Sequence, residues 1–307
     1  MTAPPPEPRV PTRDCSPTAL ADLTDIPARS RWVDAAGVRL HVLDYGGDGV
    51  PLVVLPGITS PAVTMDFVAR ALTDLVRPVV VDVRGRGLSD TGPGYTLTDY
   101  ADDTEAVIRG LGLDRPVLLG HSMGARIAAA TAARGACPVR GTVLVDPPMS
   151  GPGRGPYPTS LDVFRQQLAQ ARRGTTADEV ARWWPGWPTR EHELRARWLD
   201  TCDDEAIEAT HHGFETEDFF SCWPDVPSPV WLLHGARSPV VTAADAAEAA
   251  HAHPRARLAE IPGAGHMVFW DNPGAAISAA RTAIRDVLGE SGQQEADDTP
   301  RIPRRRP

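Results

Sequence analysis

The sequence predicts an α/β fold: a mostly parallel, doubly wound sheet, opened by an antiparallel hairpin, with a helical cap inserted after the sixth strand. Two observations carry this prediction. Short runs rich in Val and Leu alternate with stretches of helical periodicity along most of the 307 residues. The interval 147–229 breaks that alternation, has helical periodicity and no convincing strand, and holds five of the eight tryptophans.

The strands are predicted from their apolar runs. The segment 31–46 is predicted as a hairpin that turns at Ala36-Gly37. Continuous rather than alternating apolar residues are typical of strands buried on both faces of a parallel sheet. Six such runs follow, at 51–57, 77–85, 115–122, 141–147, 229–235 and 256–263, and helices are predicted between them at 61–73, 98–110, 123–134, 242–252 and 273–288.

This pattern divides the chain into a core, a cap and two tails. The core comprises 29–147 and 229–289, and the cap comprises 148–228, because the aromatic side chains of that insertion need an apolar surface to cover. The segment "PPMSGPGRGPYP" at 147–158 is predicted to be a hinge. The proline-rich start, 1–28, and the charged end, 290–307, are predicted to be disordered tails.

Composition excludes several classes of function. The net charge of -9 argues against nucleic acid as a partner, because phosphate binding needs a basic face. No apolar run is long enough to cross a membrane, and the four cysteines form no CxxC pair, so neither a zinc site nor a disulfide framework is predicted. The start lacks the apolar core of a secretion signal, and reduced thiols fit a cytoplasmic location.

The stretch "GHSMG" at 120–124 supplies a candidate nucleophile, Ser122. It stands where a predicted strand gives way to an alanine-rich helix, at the edge of the sheet where ligands bind. Gly120 and Gly124 remove side chains that would clash in so sharp a turn, which leaves the hydroxyl exposed. The alternative is a glycine-rich turn that only joins strand to helix.

A serine hydroxyl needs a base, and His266 is the best candidate among the nine histidines. It follows the last strand in "IPGAGHMVFW", where Gly263 and Gly265 permit a tight loop back toward the sheet edge. His234, at the end of a strand, is a weaker alternative.

The base needs a carboxylate, and Asp146 is predicted to supply it. In many proteins of this pattern the acid follows the penultimate strand, but Ser238 stands there in this chain, and Asp245 is predicted to lie on a helix surface. Asp146 ends the preceding strand, at the same edge of the sheet. A role as a cap for the chain leaving that strand is the alternative.

An oxyanion formed at Ser122 needs donors aimed at it in advance. The backbone N–H of Met123, directly after the nucleophile, is one candidate, and the N–H of Ile58 in the turn "LPGITSP" is the other. Neither group depends on its side chain.

Taken together, the hairpin, the glycine turn, "DVRGRGLS", "GHSMG", the cap and the late "GAGH" resemble the α/β-hydrolase family over residues 31–289. Nucleophile, acid and base come in that family's order. The stretches "LPGITSPA", "LVDPPMSGPGR" and "GHSMGAR" are further similar to deformylases within it. This resemblance implies a serine hydrolase that removes a small acyl group, such as formyl, from an amide or imide, with its acid in "VDPP".

The resemblance also implies a small, anionic substrate and no cofactor or metal. An arginine suits a substrate carboxylate, and the candidates are Arg126, Arg154 and Arg84. Two alternatives stay open: another esterase, lactonase or amidase of the same fold, or a member that binds ligands without catalysis. A dehalogenase is disfavoured because it needs a carboxylate where Ser122 stands.

Overall fold

A computed structural model describes residues 16–290, and its centre is one eight-stranded sheet. The strands lie in the order β1-β2-β4-β3-β5-β6-β7-β8. Strand β2 runs antiparallel to both neighbours, and the remaining pairs are parallel. The bounds are β1 Arg29–Ala35, β2 Val38–Asp44, β3 Pro51–Leu55, β4 Arg77–Val81, β5 Val117–His121, β6 Gly141–Val145, β7 Val230–Gly235 and β8 Arg257–Ile261.

Eleven α-helices accompany the sheet in the described residues, most of them connecting one strand to the next. Their bounds are α1 Pro17–Asp22, α2 Asp66–Arg70, α3 Leu97–Gly110, α4 Met123–Arg134, α5 Leu161–Arg172, α6 Ala177–Trp183, α7 Thr189–Trp198, α8 Asp204–Thr216, α9 Ala243–Ala252, α10 Val268–Asp271 and α11 Pro273–Leu288. The predicted fold class is confirmed.

Apolar side chains are buried on both faces of the sheet. On β3, Val53 and Leu55 join one cluster with residues of α3 and α4, whereas Leu52 and Val54 join a second cluster with residues of α2 and α11. Side chains alternate between the two faces of a strand. A strand that is covered on both faces therefore has apolar residues at consecutive positions of its sequence.

The opening hairpin turns where the sequence predicts. Ala36 and Gly37 both have positive φ, 53° and 91°, as a two-residue turn between twisted strands requires. The N–H of Gly37 donates to the Asp34 carboxylate at 3.0 Å.

Helices α5 to α8 lie between β6 and β7 and form the cap. Hydrogen bonds from core and cap side chains, and one backbone bond from the N–H of Asp203 to the carbonyl of Gly85 at 2.9 Å, join the cap to the core. Arg86, in the loop after β4, donates to the carbonyl of Ala206 at 3.2 Å and to the Thr210 hydroxyl at 2.8 Å, both on α8. On α7, Arg195 donates to the carbonyl of Thr59 at 2.7 Å.

The prediction of a disordered tail as far as residue 28 is wrong for residues 16–28. Ser16 caps α1 by accepting a hydrogen bond from the N–H of Ala19, and Ala19 is fully buried. Asp22 accepts hydrogen bonds from Arg197 and from the indole of Trp198, both at 2.8 Å, which fixes α1 against α7. The proline-rich composition of the segment gave no indication of this short helix. The remaining residues of the two predicted tails, 1–15 and 291–307, lie outside the described part.

Two further observations concern the described residues alone. None of their helices has the length and apolar content needed to cross a membrane. Cys137, Cys202 and Cys222 form no disulfide with one another, and Cys15 lies outside the described part.

Candidate active site

Ser122 stands between the end of β5 and the start of α4, in a strained backbone conformation with φ 56° and ψ −120°. A Cβ on Gly124 would overlap the carbonyl oxygen of Leu55, and one on Gly120 would overlap the carbonyl oxygen of Gly124. Only glycine fits at either position, so the sequence G-x-S-x-G is what allows the turn to close.

Asp146 directly follows β6, the neighbour of β5. Its φ of 51° is the left-handed conformation that Asp tolerates better than most residues. The N–H of Ser122 donates to the carbonyl of Val145 at 2.8 Å, and the N–H of Asp146 donates to that of Leu233 at 2.8 Å. The ends of three adjacent parallel strands are thereby held at one edge of the sheet.

His266 reaches the same edge from the loop after β8. Its Nδ1 lies 2.7 Å from Asp146 Oδ2, and its Nε2 lies 2.9 Å from Ser122 Oγ. Because a carboxylate only accepts, Nδ1 carries the proton and Nε2 is left to accept one from the serine hydroxyl. The structure brings together the three side chains that the sequence predicts as nucleophile, acid and base.

Ser238, at the position where an aspartate is more usual, is part of the same network. Its hydroxyl lies 2.5 Å from Asp146 Oδ2, while the N–H of Gly235 donates to Oδ1 at 3.0 Å. The Asp146 carboxylate is fully buried, so these donors, together with His266, compensate for its lost hydration. Asp245, by contrast, caps helix α9 through the N–H of Thr242.

Two backbone donors lie next to Ser122. Within the described residues, the N–H groups of Ile58 and Met123 donate to no acceptor. Met123 is the first residue of α4, where the helix dipole favours negative charge. Arg86 donates to the carbonyl oxygen of Ile58 at 3.0 Å and so fixes the peptide that precedes Thr59.

Ser122 opens into a cavity of about 190 Å³ beneath the cap. This volume is below the roughly 300–1,000 Å³ typical of pockets for drug-sized ligands and suits a small substrate. The lining residues are Gly57, Ile58, Thr59, Ser60, His121, Ser122, Tyr157, Thr159, Phe164, Gln167, Trp184, Trp187, Arg195, His266 and Met267.

Two side chains next to the triad were not predicted. The Tyr157 hydroxyl lies 3.3 Å from His266 Nε2, and burial raises the pKa of this tyrosine above its usual value. His121 Nε2 lies 2.9 Å from the carbonyl oxygen of His266, which holds the histidine loop in place. Burial lowers the pKa of His121 to about 4, so this ring stays neutral at neutral pH.

None of the three predicted substrate-binding arginines lines this cavity. Arg84 forms a buried ion pair with Asp103 at 2.6 Å. Arg126 donates to the carbonyl oxygen of Glu217, and Arg154 pairs with Glu248 in a separate surface groove. Their positions correct the expectation: all three are occupied by structural contacts.

The arginine in the cavity is Arg195, on cap helix α7. Burial lowers the pKa of its guanidinium to about 10, so it remains charged at neutral pH. Sequence reasoning missed it because a single arginine in an amphipathic helix belongs to no motif. The feature of the sequence that points to this region is the abundance of aromatic residues in the insertion around Arg195.

Within residues 16–290, no three His, Cys, Asp or Glu side chains cluster as metal ligands would.

The sequence model of the alpha/beta hydrolase family matches residues 52–280, which is most of the chain. The chain belongs to the α/β-hydrolase family. The match includes Ser122, Asp146 and His266 as well as the whole cap.

The similarity of this α/β-hydrolase to deformylases is also confirmed. It is 43% identical over 242 residues to the N-formylmaleamate deformylase of Pseudomonas putida, covering 78% of this chain and 90% of the relative. It is 29% identical over 282 residues to the 2-(acetamidomethylene)succinate hydrolase of Mesorhizobium japonicum, covering 86% and 98%.

The solved structures agree with the sequence comparison. A crystal structure of N-formylmaleamic acid deformylase from Pseudomonas putida superposes with a TM-score of 0.78 at 40% identity, covering 82% of this chain and all of that one. The structure of the E-2-(acetamidomethylene)succinate hydrolase gives 0.70 at 28% identity, covering 85% and 99%.

Proposed function

We propose that this α/β-hydrolase is a serine hydrolase that removes the formyl group of N-formylmaleamate, giving maleamate and formate. The observation that carries the chemistry is the position of His266, in contact with Ser122 on one side and Asp146 on the other. The identity of the substrate rests on the 43% identical deformylase.

In the first half of the reaction, Ser122 Oγ attacks the formyl carbon while its proton passes to His266 Nε2. Asp146 stabilises the imidazolium that results. The tetrahedral oxygen accepts hydrogen bonds from the N–H groups of Ile58 and Met123, and one such donor is typically worth about 10²–10³ in turnover.

Collapse of this intermediate breaks the bond from carbon to nitrogen. His266 gives its proton to the nitrogen, maleamate leaves, and the formyl group remains as an ester on Ser122. A water molecule then attacks this ester with His266 as base, and formate departs with Ser122 restored.

The proposed substrate suits a serine triad. Its nitrogen is flanked by a second carbonyl, so the departing group is far less basic than a simple amine. The small cavity fits a compact substrate, with the formyl group as the smallest possible acyl group.

The test is release of formate and maleamate from N-formylmaleamate. We expect Ser122→Ala to lower kcat by about 10⁶-fold because the nucleophile is lost, and Asp146→Asn to lower it by about 10⁴-fold because the histidine tautomer is no longer held. Ser278→Ala, an exposed substitution on α11, is the matched control and should retain full activity.

The alternative functions give different outcomes. Turnover of p-nitrophenyl acetate or of small lactones, with no formate released from N-formylmaleamate, would identify another esterase or lactonase. If a fluorophosphonate probe fails to label Ser122 in the folded protein, the chain is instead a ligand-binding member of the fold.

A further inference from the structure

Among the described residues, the buried guanidinium of Arg195 has no carboxylate partner. Its three protein contacts are all with neutral groups: Nη1 donates to the carbonyl and hydroxyl of Thr59 at 2.7 and 2.9 Å, and Nη2 donates to Gln167 Oε1 at 3.1 Å. No Asp or Glu among residues 16–290 forms an ion pair with it. A buried charge is ordinarily paired, because leaving water is costly.

Two of its five N–H groups are left open. Both hydrogens of Nη1 are used, one of the two on Nη2 is used, and Nε donates to nothing among the described residues. The unused donors are therefore on Nε and Nη2, two neighbouring nitrogens that together can bind both oxygens of a carboxylate.

A second buried donor belongs to another residue that lines the same cavity. The indole Nε1 of Trp187 also has no acceptor among the described residues. The ring of Trp184 packs against both residues: its centroid lies 5.4 Å from Arg195 Cζ and 4.8 Å from the centroid of the Trp187 ring. All three residues line the cavity into which Ser122 opens.

Other buried arginines show what a purely structural role looks like. Arg86 uses all five N–H groups on protein acceptors: Ile58, Arg84, Tyr100, Ala206 and Thr210. Arg195 is 7% exposed and also buried, but it is incompletely satisfied, and it lines the cavity into which Ser122 opens.

We propose that Arg195 and Trp187 form the binding site for a substrate carboxylate, and that this site selects small acyl amides carrying a carboxylate on the fragment that leaves. Placing the carboxylate on the leaving fragment rests on the proposed function. In that reaction the acyl fragment is a formyl group, which carries only hydrogen and therefore cannot carry the carboxylate. The carboxylate then supplies both the missing countercharge and the missing acceptors.

The direct test is calorimetric binding of maleate to the full chain. We expect Arg195→Gln to weaken binding by about 10- to 100-fold, the usual loss for a hydrogen bond to a charged group. Trp187→Phe, which keeps the ring and loses the N–H, should weaken it about 3- to 10-fold. Arg182→Gln, exposed on α6, is the matched control and should bind as the wild type does.

A second measurement separates binding from structural support. The wild type should favour N-formylmaleamate over its neutral methyl ester in kcat/KM for formate release, and Arg195→Gln should lose this preference through KM. Arg195→Lys, which keeps the charge without the fork, should recover part of the maleate affinity.

The outcomes are distinct. Maleate that binds equally to the wild type and Arg195→Gln, or to neither, overturns the carboxylate site. If maleate binding follows the predicted order but N-formylmaleamate releases no formate, the proposed function fails and the carboxylate site stands.

Discussion

At the scale of single residues, Tyr157 adds a third polar group beside the nucleophile and the base. Its hydroxyl lies 3.3 Å from His266 Nε2, and its ring packs against Phe214 with centroids 4.8 Å apart. Burial raises the pKa of Tyr157, so the hydroxyl stays protonated and is available as a donor. It comes from the start of the insertion, before helix α5.

We predict that Tyr157→Phe lowers kcat for formate release by about 3- to 10-fold, because one neutral hydrogen bond beside the reacting atoms is lost. KM should change little. Tyr95→Phe is the control, since that hydroxyl only accepts a long hydrogen bond from the N–H of Gly92 at 3.4 Å. Unchanged kcat in Tyr157→Phe would show that the hydroxyl only fills space.

The same scale shows how far the sequence could predict the site. Ser122 and His266 are predictable because their turns require the neighbouring glycines. Asp146 is predictable because it stands at the end of a strand. The substrate-binding arginine was not predictable, because any of several arginines near the sheet edge is chemically suitable. Only the fold decides that Arg84 meets Asp103 while Arg195 meets no carboxylate between residues 16 and 290.

At the scale of elements, helix α7 carries an unusual buried acid as well as Arg195. Glu191 is 5% exposed, and its Oε2 has no hydrogen-bond partner among the described residues. Burial raises its pKa to about 7, although Arg190, with Nη1 3.5 Å from Oε1, opposes the shift. The folded protein therefore binds this proton more tightly than the unfolded chain.

We predict that the free energy of unfolding falls as pH rises from about 4.5 to about 7, by on the order of 3 kcal/mol from this group. Because folding raises the pKa of Glu191, this residue contributes its full stabilisation below the pKa that it has in the unfolded chain. The stabilisation is lost once the pH exceeds the pKa that it has in the folded protein. Glu191→Gln should flatten this slope in urea unfolding measured between pH 5 and 8. Glu193→Gln, about half exposed on the same helix, should leave it intact.

Strand elements were easier to predict from the sequence than the short helices. Continuous apolar runs mark the central strands β3 to β7, because both faces of the sheet are covered there, and the opening hairpin is marked by its Ala36-Gly37 turn. Helices α1 and α10 were missed. Both have fewer than eight residues, too few to show a period, and tertiary contacts such as those of Asp22 with α7 stabilise the first of them.

At the scale of the whole molecule, Arg86 joins three regions that are distant in the sequence. It is fully buried and donates to the loop of Ile58, to Tyr100 on α3, and to Thr210 on cap helix α8. Core, cap and the peptide beside the nucleophile are therefore fixed relative to one another through one side chain.

We predict that Arg86→Met lowers the free energy of unfolding by about 3 kcal/mol or more, since several buried acceptors lose a charged donor. It should also reduce kcat at temperatures where the variant is folded, because the Ile58 peptide loses its anchor. Arg173→Met, an exposed substitution at the end of α5, should change neither quantity. If the folded Arg86→Met variant has a normal kcat, Arg86 anchors the cap but does not support catalysis.

The contact between Ser238 and Asp146 shows that the buried carboxylate is reached from two neighbouring strands. Asp146 follows β6 and Ser238 follows β7, and the Ser238 hydroxyl lies 2.5 Å from Asp146 Oδ2. A short side chain at the end of either strand therefore reaches the same point beside His266, with no change in the sheet.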